Sequence, residues 1–187
     1  MKKNEFIKTQ ILLTSIASIT IWSLLAWYYF NGGVPSHHIL AREDLPEISN
    51  WWGAILLPLL TWLVLFRIQK RENLPNSRGP KFLEIPQKVW LGFLGALTLG
   101  TVLSVFFTLG NEGMSGYLML SVFLISLFFP VYRAECLLGF VMGMTFTFGA
   151  ILPTGIGSIL ATIGFLIHNI LRPSLLFLYN FIKKKIV

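Results

Sequence analysis

Ser158, Thr162, Asn169 and Arg172 follow one another at intervals of four, seven and three residues. At about 100° per residue they fall within about 80° of one another on a helix, with His168 beside them. Hydroxyl, amide, imidazole and guanidinium groups on one helical face can pass a hydrated solute or relay a proton. A second such face runs through Thr98, Thr101, Ser104 and Thr108 towards Asn111 and Glu112, and Thr14, Ser15 and Ser18 form a weaker one. Turned towards each other, the first two would line a polar path. The ordinary alternative is that each hydroxyl bonds back to a carbonyl of its own helix.

Two further groups carry charge or ligand chemistry. Arg133 and Glu135, with His168 and Arg172, form a cluster in which Glu135 has Arg133, Arg172 or Arg67 as candidate partners; such a pair would fix helix register or gate an opening. A plain surface turn would place the same charges. His37 and His38 precede Arg42, Glu43 and Asp44. If Pro35 to Pro46 is a short interfacial helix, His37 and Asp44 share one face and His38 and Arg42 another. His37, His38, Glu43 and Asp44 are then the candidates for acid–base work at a membrane surface. Their spacing matches no metal signature, and a solvated loop explains them as well.

The elements that must hold these residues are apolar. Hydrophobic residues make up 55% of 187 and charged residues 12%. That is about half the ~25% charge of a soluble domain, which excludes a disordered chain and a water-soluble one. Runs near the ~20 residues that span hydrocarbon predict an all-α bundle of six transmembrane helices, at about 9–30, 51–68, 88–109, 116–131, 135–152 and 156–180. The fourth and fifth are divided by Pro130 and the charged turn Arg133 to Glu135. The sixth ends either at Leu171 or near Phe181. Pro58 should kink the second, and Asn50 is placed to cap its start. The first run is too long for a signal peptide and no small-x-small cleavage site follows it.

Charge orients the bundle. With six spans, fourteen of the fifteen Lys and Arg fall on one side and only Arg42 on the other, while the acids divide evenly; the sides carry net +10 and −3. By the positive-inside rule both termini are cytoplasmic. The total of +7 therefore predicts a cytoplasmic leaflet with anionic headgroups as partner, not nucleic acid, for which no motif is present. One cysteine, Cys136, gives no disulfide framework, and with no glycosylation sequon the chain suits a bacterial inner membrane.

Small residues predict where helices touch. Gly139 and Gly143 form a GxxxG, and Gly92, Gly95, Gly100, Gly157, Ala161 and Gly164 repeat the theme in the third and sixth spans. Packing within the bundle is the favoured reading, although a homo- or hetero-oligomer uses the same surfaces. In size and span number the chain is similar to the substrate-binding subunits of energy-coupling vitamin transporters. The alanine motif of their first span is absent, since Ala17 and Ala26 stand nine apart, and no family is assigned.

No phosphate-binding loop, nucleophile elbow or CxxC is present and no cofactor is implied, which weighs against an enzyme without deciding the question. A small-solute or ion transporter or channel, with its path near spans three and six, is expected first. An accessory subunit of a larger membrane complex is the second reading and an interfacial lipid enzyme the third.

Overall fold

Runs that are apolar on every face, with few interior prolines, form helices because a helix satisfies its own backbone without water. The computed structural model describes residues 6–38, 44, 46–72 and 85–186, and it is mostly helical. The helices are α1 (Phe6–Phe30), α2 (Gly53–Glu72), α3 (Gln87–Thr108), α4 (Glu112–Phe128), α5 (Ala134–Phe148), α6 (Ile151–Leu166) and α7 (Arg172–Ile186). A π-helical turn, Ile167–Leu171, joins α6 to α7. It directly precedes Arg172 and Pro173. Proline lacks the N–H that would bond the carbonyl four residues back, and a widened turn accommodates the ring.

Among the described residues four stretches are long and apolar enough to cross a membrane: Phe6–Phe30, Asn50–Glu72, Gln87–Thr108 and Ile151–Lys183. The apolar helices Gly113–Phe128 and Ala134–Phe148 are shorter. Ile19, Leu91, Leu124 and Ile159, from four different helices, are 61–66% exposed, so the exterior suits hydrocarbon rather than water.

The region after Pro35 corrects one expectation. Ser36–His38 forms a strand, β1, paired antiparallel with β2 (Glu47–Ser49), His37 standing opposite Ile48 and His38 opposite Glu47. A helix therefore does not begin at Pro35. Arg42 and Glu43, which that helix was to carry, lie outside the described residues. The cap of the next element also moves by one residue. Ser49, not Asn50, accepts from the Trp51 N–H at 3.4 Å and opens a 3₁₀ turn, Asn50–Trp52, that leads into α2. Asn50 is instead buried against Gly149, whose φ of +68° is a conformation glycine adopts without strain. A Cβ on Gly149 would lie 2.1 Å from the Asn50 side-chain oxygen.

α5 occupies the centre, packed on α2, α3 and α6, while α1 lies on α2 and α4 bridges α3 to α6. The α3–α5 contact is backbone against backbone. A Cβ on Gly139 would lie 2.2 Å from the Phe93 carbonyl oxygen, one on Gly143 2.5 Å from that of Leu97, and one on Gly100 2.6 Å from that of Phe140. The GxxxG is thus filled from within the chain. With little hydrophobic drive between helices in lipid, such close approach is what lets dispersion hold them. Leu103, Phe140, Met144 and Leu160 extend this contact to α6.

Side chains of α1 also bond backbone carbonyls of neighbouring helices. Pro58 removes the N–H that would reach Ala54, and Trp22 Nε1 donates to that carbonyl at 3.1 Å. Tyr28 donates its hydroxyl to Phe146 O in the last turn of α5, at 2.9 Å. Gln10, fully buried, donates to Trp62 O at 2.9 Å and ties α1 to α2.

Candidate functional site

At the end of the bundle where α2 stops and α3 and α5 begin, charged side chains are drawn together. Glu135 sits in the first turn of α5 and is only 2% exposed. Arg71, in the last turn of α2, reaches it with both terminal nitrogens, Nη1 to Oε2 at 3.0 Å and Nη2 to Oε1 at 2.9 Å. This corrects the expected partner: Arg133, Arg172 and Arg67 were the candidates, and Arg71 holds the carboxylate. The fork of a guanidinium matches both oxygens at once, and burial then strengthens the pair. Arg71 Nε also donates to Glu72 at 2.9 Å, and Lys88 Nζ meets the other Glu72 oxygen at 2.7 Å. The result is a chain of four charges, Lys88–Glu72–Arg71–Glu135, joining α2, α3 and α5.

Arg133, one residue before α5, stands outside that chain. Among the described residues its guanidinium has no hydrogen-bonded or ionic partner. It lies at the mouth of a cavity of about 780 Å³ enclosed by α3, α4, α5 and α6. The wall is apolar: Leu99 and Val102 from α3, Val122 from α4, Leu137 and Phe140 from α5, Leu160 from α6. Polar groups gather at one end, where Lys88, Arg133, Glu135 and Cys136 line it. Lys88 and Val102 both touch it and are fourteen residues apart on α3, so the slot runs ~21 Å along that helix. Leu91, Ile125 and Phe129, on its rim, are 62%, 41% and 66% exposed, so the slot opens sideways from the bundle.

The α3 and α6 hydroxyls are engaged locally. Thr98, Thr101 and Thr108 donate to Leu94, Leu97 and Ser104 carbonyls, and Ser158 and Thr162 to those of Thr154 and Ser158, at 2.7–2.9 Å. Asn169 donates to Phe165 O at 3.0 Å. Ser104 differs: it is buried and reaches across to Gly143 O on α5 at 3.4 Å. Among the described residues no hydrogen bond joins the α3 and α6 stripes. Thr98 does line the cavity, opposite Leu160 and Ala161 of α6.

His168, in the π-helical turn, is held by α4. Its Nδ1 is 3.0 Å from Ser126 O, and Arg172 Nη1 approaches Nε2 at 3.4 Å. Arginine only donates and a carbonyl only accepts, so the pattern selects the Nδ1–H tautomer. The Ser126 carbonyl is open because it lies in the last turn of α4, where Phe129 turns extended and Pro130, four residues ahead, has no N–H to offer. Tyr132 packs beside the imidazole, ring centroids 5.8 Å apart. The imidazole thus closes the end of α4 as a cap.

At the opposite end, strand geometry sends His37 and His38 to opposite faces. The His37 ring lies 6.4 Å from that of Phe148, and its Nε2 is buried with no hydrogen-bond partner among the described residues. Burial lowers the His37 pKa from the usual histidine value, against an opposing pull from Glu47. Ser36 Oγ bonds the Glu47 carboxylate. His38 and Asp44 each have interactions of their own, and Glu43 lies outside the described residues.

The cavity and the Arg71 partnership had little signal in the sequence. Leucine and valine on a wall look like leucine and valine facing lipid, and three basic residues, Arg67, Lys70 and Arg71, stand near the end of α2 with nothing to rank them. Comparison with protein-family models, with curated proteins and with solved structures gives no match.

Proposed function

We propose that this chain is a six-span protein of a bacterial inner membrane, with both termini cytoplasmic, that binds and moves a membrane amphiphile. The transport class expected from the sequence is kept, and its solute becomes a lipid-like molecule. The observation that carries this is the apolar cavity of about 780 Å³ between α3, α4, α5 and α6, with its charged groups confined to one end. A hydrated ion needs polar partners along its whole path, whereas an acyl chain needs an apolar wall and room. The hydroxyls that were to form a hydrated path, from Thr98 to Thr162, are spent mostly on their own helices.

Helix length supports the same reading. At ~1.5 Å per residue α4 and α5 are ~25 and ~22 Å long, below the ~30 Å hydrocarbon thickness. Short spans thin the adjoining bilayer, which lowers the barrier for a headgroup crossing beside them. The slot's ~21 Å also exceeds one leaflet's ~15 Å share, so a bound chain would reach past the midplane.

Reconstituted vesicles test this. A phospholipid with a fluorescent tag on its headgroup is quenched chemically from outside. Protein-free vesicles retain the inner-leaflet signal, and vesicles with the protein are expected to lose most of it. An inner-leaflet signal that survives in both removes the transport reading.

One observation favours the accessory-subunit reading as a second. Leu175, Leu176, Phe177, Leu178, Phe181 and Ile182 of α7 are all exposed, and α7 packs on little besides its own preceding turn. A particle purified from native membrane with a mass near 21.2 kDa plus bound lipid would argue against it.

A further inference from the structure

We infer that the ligand is a single-headed anionic lipid whose headgroup is held by Arg133; this rests on the amphiphile reading above and narrows it. The positive charges at the cavity mouth are already committed, with one exception. Lys88 is paired with Glu72 at 2.7 Å, and Arg71 is divided between Glu72 and Glu135. Those four side chains are two cations and two anions, and together they are neutral. Arg133 is the surplus charge. It lines the same cavity, is half-buried, and has no partner among the described residues. Its planar fork presents paired donors that fit the oxygens of a phosphodiester or a carboxylate, and partial burial strengthens the contact over one made in water.

The occupant follows from the position. A soluble anion would have no use for the apolar slot behind Arg133, and an uncharged apolar molecule would have no use for the guanidinium. A lipid places its chain along Leu99 and Val102 and its anion at the mouth, with the acyl chain entering through the lateral opening beside Leu91 and Phe129. Zwitterionic lipids add a cationic amine, which would stand close to Arg133 and Lys88 and be disfavoured. Under the proposed topology this side is the cytoplasmic one, net +10 by the positive-inside count, and draws anionic lipid towards the mouth.

The experiment is a native mass-spectrometric titration of the full chain in detergent with phosphatidylglycerol, phosphatidylcholine and inorganic phosphate. The wild type is expected to prefer phosphatidylglycerol by about tenfold, the size of one charge-assisted bond at a partly exposed site. Arg133→Gln should reduce that preference to near unity while phosphatidylcholine binds as before, and Arg133→Lys should fall between. Ala161→Trp, which fills the slot, should lose both lipids. An unchanged preference in Arg133→Gln overturns the headgroup assignment and leaves the cavity intact. Unchanged binding of both lipids in Ala161→Trp overturns the cavity reading itself. Inorganic phosphate displacing the lipid at equal concentration overturns the inference, because the anion alone would then suffice.

Discussion

The guanidinium of Arg71 meets the carboxylate of Glu135 through two N–H···O bonds of 3.0 and 2.9 Å, although 64 residues separate them. This clamp joins the end of α2 to the start of α5, the helix on which α3 and α6 also pack. Glu135 also lines the cavity, so the clamp stands at its charged end.

Removing one member of a buried ion pair costs about 3–5 kcal/mol. Arg71 is 34% exposed, which places Arg71→Ala near the lower figure. Its thermal midpoint in detergent should drop clearly. Adding Glu135→Gln to it should recover more than half of the loss, because no bare buried carboxylate is then left. A midpoint unmoved by Arg71→Ala would show that the clamp holds nothing.

The α3–α5 seam makes an equally definite expectation. Gly139→Ala drives a methyl group to 2.2 Å from the Phe93 carbonyl, where backbone on both sides must give way. Overpacking of this kind costs ~1–3 kcal/mol or more. Gly116→Ala, in α4 with nothing within 4 Å, should be neutral or stabilising by up to ~1 kcal/mol. Equal midpoints for the two variants would contradict the packing described.

His168→Ala leaves the Ser126 carbonyl without a donor, at a cost of about 1–3 kcal/mol. Pro130→Ala supplies a backbone N–H that lets the helix run on through Phe129, which is extended in the wild type, to reach that carbonyl. The double variant should therefore be more stable than His168→Ala alone. If instead the two losses simply add, the imidazole is not acting as a helix cap.

The pH response of the hairpin follows from His37. Its pKa in the folded chain lies below the usual histidine value of ~6.5. As pH falls from there towards the folded value, the unfolded chain binds more protons, so stability declines. The contribution is complete above about pH 6.5 and is lost as pH falls through the folded value. Protection factors of the β1–β2 amides, corrected for intrinsic exchange, should fall on acidification, and His37→Phe should flatten the trend. Protection that rises towards acid would contradict the burial of this ring.

Much of the helical layout was legible, because apolar runs report their own lengths. The expected apolar runs fall on helices, of which four among the described residues are long and apolar enough to cross a membrane, and the last runs on through the π-helical turn. Gly139 and Gly143 announced a close contact and did not name its partner. What failed was non-local. Ser36–His38 pairs with Glu47–Ser49 across eight intervening residues, and neither strand of three residues has a periodicity to read. Pro35 and Pro46 bound a hairpin here as readily as a helix. Glu135 had several arginines within plausible reach, and the choice of Arg71 depends on where α2 ends against α5. A hydroxyl stripe looks the same in sequence whether it faces a channel or folds back on its own carbonyls. The cavity depends on α4 standing off from α3 while α5 closes tightly on it, a difference of backbone distance that residue types do not encode.

Whether an apolar chain occupies that cavity is decided by weighing the intact protein. Wild type and Ala161→Trp, extracted from native membrane in mild detergent, are compared by native mass spectrometry. The expected wild-type spectrum carries one adduct of lipid mass that survives collisional activation sufficient to strip detergent, and the variant lacks it at equal thermal stability. A bare wild-type chain, or the same adduct in both proteins, would contradict a lipid-binding cavity.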